Sequence, residues 1–175
     1  MHTPTRLFLA LCATVAAASA MAQAPAPGAP PPAPPRARGP ALALAVEAAQ
    51  TAIATCLANG YKTTATVVDS AGVPVAMLAA DGAAERTQMI GLTKTTTTMK
   101  YKVPSGEIAD RVKTDAALDA EVKADPKIGT ARRGSLPIKV GGEIIGAMSV
   151  SGAPGGVMDE VCVQAGLDKI ASRLK

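Results

Sequence analysis

The chain has 175 residues, 18 Lys+Arg against 14 Asp+Glu, 48% hydrophobic residues and 2% aromatic ones, which is the make-up of a single small globular domain and too little for a multidomain enzyme. All 14 acids and 15 of the bases lie at or after position 41, so the positive excess belongs to the N-terminal segment. A near-neutral body with Tyr61 and Tyr101 as its only aromatics speaks against nucleic acid as a partner, because phosphate binding needs clustered bases and single strands need stacking rings.

Near the N-terminus Arg6 is followed by the apolar run Leu7–Val15 and a stretch of small residues ending at Ala22. This is the pattern of a secretory signal peptide over 1–22, cut near Ala20 or Ala22, and it predicts a periplasmic or secreted protein. The apolar run is too short to span a bilayer, and no later segment reaches 18 apolar residues, so no membrane span is expected after cleavage. Residues 23–40 are rich in Pro and Ala and should form an extended linker. The domain is then 41–175. His2, the only histidine, would be lost on export, which excludes a Ser-His-Asp triad, a His-ligated zinc and the usual proximal histidine of a haem protein.

Leu42, Val46, Ala49, Ile53 and Cys56 recur at steps of three and four and predict a helix over 41–58 that stops at Asn59–Gly60. Two Val- and Thr-rich runs, 62–69 and 73–80, flank Asp69-Ser70-Ala71-Gly72 and read as a hairpin, with Pro74 marking an edge. Residues 84–102 are ambiguous. Met89, Leu92, Thr96 and Met99 have helical spacing, while the run Thr95–Thr98 has strand propensity. Residues 105–125 are polar and acidic and predict short surface helices. A second hairpin, 136–140 and 143–150, turns on Gly141–Gly142, both of which can take positive φ. Val163, Leu167, Ile170 and Leu174 mark a last helix with Asp159 and Glu160 near its positive end. The order of elements gives an α+β domain, an antiparallel sheet with helices packed on it.

Cys56 and Cys162 both survive export and fall in helices. Spacing leaves two readings open, a disulfide or two buried hydrophobes, and the lack of Cys-x-x-Cys disfavours a redox-active pair. Gly152–Gly156 lies between a strand and a helix; it is either an anion cradle or a tight turn, and the missing Lys-Ser/Thr favours the turn. Asp81 and Glu85 lie four apart and read as a cation site or, in preference, as a helix cap with a surface acid. The methionines at 77, 89, 99, 148 and 158 are core filler.

Several blocks carry a family resemblance. Pro137-Ile138, Gly141-Gly142-Glu143, Ile145-Gly146-Ala147, Val150-Ser151-Gly152-Ala153-Pro154, Asp159-Glu160 and Ala165-Gly166-Leu167 resemble the C-terminal signature of the GlcG/HbpS family, the haem-degrading domain family related to the C-terminal part of PduO-type cobalamin adenosyltransferases. Val67-Val68-Asp69, Asp81-Gly82-Ala83, Lys94 with Thr97, and Pro104-Ser105 agree with it, so the resemblance spans nearly all of 41–175. It implies a profilin-like fold, a helix for 84–102, self-association into a homo-oligomer and, in some members, binding of haem or another tetrapyrrole. The chain departs from the family pattern at Arg132-Arg133-Gly134-Ser135-Leu136, where a Gly-rich stretch is usual, and at Ser149, where glycine is usual.

The expected ligand is haem, a related tetrapyrrole or a small organic acid, in an apolar pocket between the middle helix and the sheet, rimmed by Lys94 and Arg133. Arg132 and Arg133 can clamp a carboxylate or propionate with paired hydrogen bonds, against the plainer reading of a solvated strand start. Lys94 is an anion-binding candidate or an exposed lysine. Thr97 joins it by the resemblance. Tyr101 can ligate iron as phenolate or pack half-buried with its hydroxyl wet; Met89, Met99, Thr97 and the cysteines are the other ligands open to iron. No metal site is expected. Two further functions stay open: an enzyme acting on a small carbonyl compound or organic acid, with Lys94, Tyr101 or Asp81 supplying acid–base chemistry, and a non-catalytic oligomeric sensor or interaction module.

Overall fold

A computed structural model describes residues 37–175; the expected signal peptide over 1–22 and most of the expected linker over 23–40 lie outside the described residues. The elements are α1 (Leu42–Ala58), β1 (Thr64–Asp69), β2 (Pro74–Ala79), α2 (Arg86–Tyr101), α3 (Ser105–Arg111), α4 (Ala116–Ala124), β3 (Ser135–Val140), β4 (Glu143–Ser151) and α5 (Val157–Ile170), with a closing 3-10 turn at Ala171–Arg173. The four strands form one antiparallel sheet in the order β2-β1-β4-β3. The expected α+β fold and both hairpins are present. β2 is an edge strand, and Pro74 sits at the irregularity where Val67 and Val68 shift register, a place that needs no ladder donor from proline. In the second turn only Gly141 takes positive φ (58°), so one left-handed residue suffices where two were expected.

α1 and α5 pack together over the sheet and enclose the main core, which Val67, Ile145, Met148, Val150, Val163 and Ile170 fill. The face of α1 that is buried is Ala45, Ala48, Ala49, Ala52 and Cys56, and Leu42 of the expected stripe is exposed. Small residues win because the two helices approach closely. A Cβ on Gly166 of α5 would stand 2.5 Å from the Ala48 carbonyl oxygen. At this crossing Cys56 and Cys162 form a disulfide, their Cα atoms 5.7 Å apart, which decides between the two readings of the cysteines.

α2 covers part of the opposite face, against β1, β3 and β4. Its buried residues are Thr87, Gly91, Lys94, Thr95, Thr97, Thr98 and Met99, whereas Met89 of the expected stripe is 67% exposed. The helix is possible despite the threonine run because the hydroxyls find partners. Thr95 and Thr97 donate back to the carbonyls of Leu92 and Thr93, both at 2.9 Å, and Thr98 reaches the Ser135 hydroxyl at 3.0 Å. Ser149, where the resemblance leads one to expect glycine, donates to the Gly91 carbonyl at 2.9 Å and ties β4 to this helix. α3 and α4 are the two short helices expected over 105–125; Ile108, Leu118, Val122 and Ile128 form their own small core, with Tyr101 packed against it.

The last residues of the expected linker already belong to the domain surface. Ser70 donates its backbone N–H to the Arg38 carbonyl at 2.7 Å, the Arg38 guanidinium pairs with Glu143, and Pro40 is buried. Among the described residues no helix is long and apolar enough to cross a membrane.

Candidate functional site

A cleft of about 480 Å3 opens at the end of the sheet where β4 runs into α5. The first two turns of α2 form one wall, with Arg86, Thr87 and Ile90. The end of α3 and Lys113 form another, and the strand approaches Ala131–Arg133 and Ser151–Gly156 close it. Its apolar lining is thin, since Ile90 is the only large aliphatic among alanines. An apolar pocket was expected; the observed one is dominated by charge, with six basic side chains against Asp110 and Asp159.

Lys94 lies at the floor. Its ammonium donates to Asp159 Oδ2 at 2.6 Å and to the Val150 carbonyl at 2.8 Å, and both side chains of the ion pair are 3% exposed. Asp159 in turn accepts the Ala153 N–H on Oδ1 at 3.0 Å, so one carboxylate fixes both the lysine and the glycine-rich loop. The expected helix-dipole acid at the start of α5 is therefore half of a buried pair. Gly134 makes room for it: a Cβ there would come within 2.5 Å of the Lys94 ammonium and 2.8 Å of Asp159 Cβ, and its φ of 121° is open to glycine. Burial pushes the Lys94 ammonium below the ordinary lysine range, against the opposing pull of Asp159.

Arg132 and Arg133 behave differently. Arg133 is half-buried, donates to Glu160 Oε2 at 2.8 Å and pairs with Asp110, and the Glu160 hydrogen bond holds its proton more tightly than usual. Asp110 also pairs with Lys113 at 2.7 Å, and chiefly this bond lowers its carboxyl below the usual range. Arg132 is exposed and makes only a long contact, 3.4 Å, to the Thr130 carbonyl. Lys62, Arg86 and Arg132 line the cleft without a carboxylate partner among the described residues. These three cations are what an incoming anion would meet.

Of the residues expected to bind a ligand, the fold thus brings together Lys94, Arg132 and Arg133. Thr97 and Tyr101 do not line the cleft. Thr97 is buried against the sheet, and Tyr101, at the far end of α2, donates its hydroxyl to Glu121 Oε1 at 2.9 Å. Burial, helped by that bond, raises the Tyr101 phenol above its ordinary value, which disfavours phenolate. Lys62 and Arg86 were not singled out; Lys62 precedes β1 and Arg86 opens α2, and only the fold shows that they face one cleft. Asp81 and Glu85 are exposed, and Glu85 occupies the cap position of α2 without a capping side-chain bond. Among the described residues no group of three or more His, Cys, Asp or Glu comes together.

A haem has two chemical ends, and the cleft suits one of them. Its propionates match the unpartnered cations. Its iron finds no His, Cys, Met or Tyr among the lining residues, the cysteines are spent on each other, and of the three lysine nitrogens in the walls Lys94 is held by Asp159 and Lys113 by Asp110.

The family model described as haem degrading protein HbpS-like matches residues 41–168. A double mutant of Streptomyces reticuli HbpS is 26% identical, with 85% of this chain and 98% of that one covered and a TM-score of 0.70. Protein ORFY of Klebsiella pneumoniae is 23% identical over 78% of this chain and 94% of its own, with a TM-score of 0.71. The PduOC domain, solved as a haem complex, shares the fold at 18% identity, 74% and 94% coverage and a TM-score of 0.67. No curated protein matches the chain.

Proposed function

The chain belongs to the HbpS-like family of haem-degrading proteins, and on that premise we propose that it is a ligand-binding protein whose cleft takes a carboxylate-bearing molecule, with a tetrapyrrole held by its propionates as the leading candidate. The observation that carries this reading is the set of three cations, Lys62, Arg86 and Arg132, that line the cleft without an acid. A charge-assisted bond to a carboxylate is worth about 1.5–3 kcal/mol, and such bonds hold an anion without iron chemistry. The haem complex of the PduOC fold neighbour supports the choice of tetrapyrrole.

Bound haem would be gripped at its propionates by these residues, leaving the iron without a side-chain ligand. The test is a titration with haemin beside metal-free protoporphyrin. Similar affinities, both reduced in Arg132→Ala, support propionate-led binding. Binding of haemin alone would place the recognition at the metal and overturn it.

We also assign the mature domain to the periplasm or the exterior, as a homo-oligomer. The N-terminal pattern and the Cys56–Cys162 disulfide support export, since such bonds persist in oxidising compartments. N-terminal sequencing and sedimentation of protein recovered from the periplasmic fraction test both parts. An uncut chain in the cytoplasm contradicts the first, and a monomer at micromolar concentration contradicts the second.

A further inference from the structure

The proposed grip on carboxylates leaves the buried lysine at the cleft floor unexplained. An anion needs the rim cations, and Lys94 is already neutralised by Asp159 at 2.6 Å. Two of its three N–H groups are bonded, to Asp159 and to the Val150 carbonyl, and the third has no acceptor among the described residues although Lys94 lines the cleft. A structural ion pair needs the glycine that makes room for it, but it does not require a cleft above it. An amine in a water-poor floor, a carboxylate in contact with it and unpartnered cations above are the parts needed to form an imine with an anionic carbonyl compound.

We propose that Lys94 forms a Schiff base with a small 2-oxo acid or aldehydo acid, whose carboxylate is held by Arg132 with Lys62 and Arg86; this rests on the carboxylate-binding reading of the same cleft. Lys94 gives a proton to Asp159 and its lone pair attacks the carbonyl carbon, forming the C–N bond while the C=O π pair moves to oxygen. Asp159 returns the proton to that oxygen. The carbinolamine then loses water with a second proton from nitrogen, leaving a protonated imine; an ammonium and a carbonyl have become an iminium and one water. The burial that lowers the Lys94 ammonium below the usual lysine range makes the first transfer easier.

The test treats the protein with glyoxylate and cyanoborohydride, which reduces any iminium to a carboxymethyl-amine, and maps the modified lysines by peptide mass spectrometry over time. Acetaldehyde, which lacks the carboxylate, is the comparison. Lys94 should be modified ahead of the exposed lysines, as expected for an amine of lowered proton affinity beside the cations that hold the carboxylate. Its preference for glyoxylate over acetaldehyde, normalised to the exposed lysines, should fall in Arg132→Ala. If only exposed lysines are modified while haemin still binds saturably, the imine falls and the cleft reading stands. If Lys94 is modified with no preference for glyoxylate, the carboxylate grip falls. The modification of Lys94 is read on the unaltered protein, so it does not depend on whether a variant at Lys94 folds.

Discussion

Lys94 and Asp159, 65 positions apart in the chain, meet at 2.6 Å with 3% of each side chain exposed. This pair joins the middle of α2 to the first turn of α5 and, through the Ala153 N–H, to the loop that closes the cleft. Removing one member leaves a buried charge, which costs about 3–5 kcal/mol, whereas replacing both with apolar residues is often neutral.

Asp159→Ala should therefore lower the free energy of unfolding by about 3–5 kcal/mol, and Lys94→Met with Asp159→Leu should recover most of it. Urea unfolding followed by circular dichroism decides this. A single variant within about 0.5 kcal/mol of the parent would mean the pair is solvated, since that is the range of ordinary surface substitutions.

The same pair sets a pH dependence. A lysine whose folded-state proton affinity is lowered binds fewer protons folded than unfolded over the interval below the ordinary lysine value of 10.5. The unfolded state then holds more protons, so stability rises with pH across that interval. The penalty is complete below the lowered value and is relieved as the pH climbs toward the ordinary one. Relative to the Lys94→Met, Asp159→Leu variant, the parent should gain stability as the pH is raised toward 10.5. A difference independent of pH would show that burial does not dominate at Lys94.

The disulfide closes a loop with a sequence separation of 106 between α1 and α5. Such a link is worth about 2–4 kcal/mol by restricting the unfolded chain, so Cys56→Ala with Cys162→Ala should lower the unfolding free energy by about that amount and move the guanidinium midpoint down. An unchanged midpoint, or two titratable thiols in the unreduced unfolded protein, would remove the link from the account.

Gly166→Ala tests the crossing of α1 and α5. Its Cβ would stand 2.5 Å from the Ala48 carbonyl oxygen and 3.0 Å from the end of Met148, and backbone gives way less readily than side chain. The expected cost is about 1–3 kcal/mol, although alanine is the better helix former on propensity alone. A stabilised Gly166→Ala would show that the helices have room to part.

The fold was legible from the sequence where turns and periodicity agree: Asp69–Gly72, Gly141–Gly142 and the start of α5 all bound elements that exist. Side-chain burial was less legible. Hydrophobic spacing favoured Leu42 in α1 and Met89 in α2, but close helix packing selects alanines in the first, and hydroxyl partners let threonines face the sheet in the second. At the site, Arg132 and Arg133 look alike in sequence, yet Glu160 and Asp110 occupy one and leave the other. Lys94 carried a signal only through the family resemblance, and nothing local links it to Asp159. Lys62 and Arg86 carried none, because their meeting at the cleft is a product of topology.

The account centres on an anion-binding cleft, and a charge-reversal titration tests it most directly. Haemin binding, followed by absorbance at fixed salt, would be compared between the parent and Arg132→Glu. The account predicts saturable binding to the parent and at least about tenfold weaker binding to the variant, the loss expected when a charge-assisted bond of roughly 1.5 kcal/mol is removed. Equal affinity in the two proteins would contradict it.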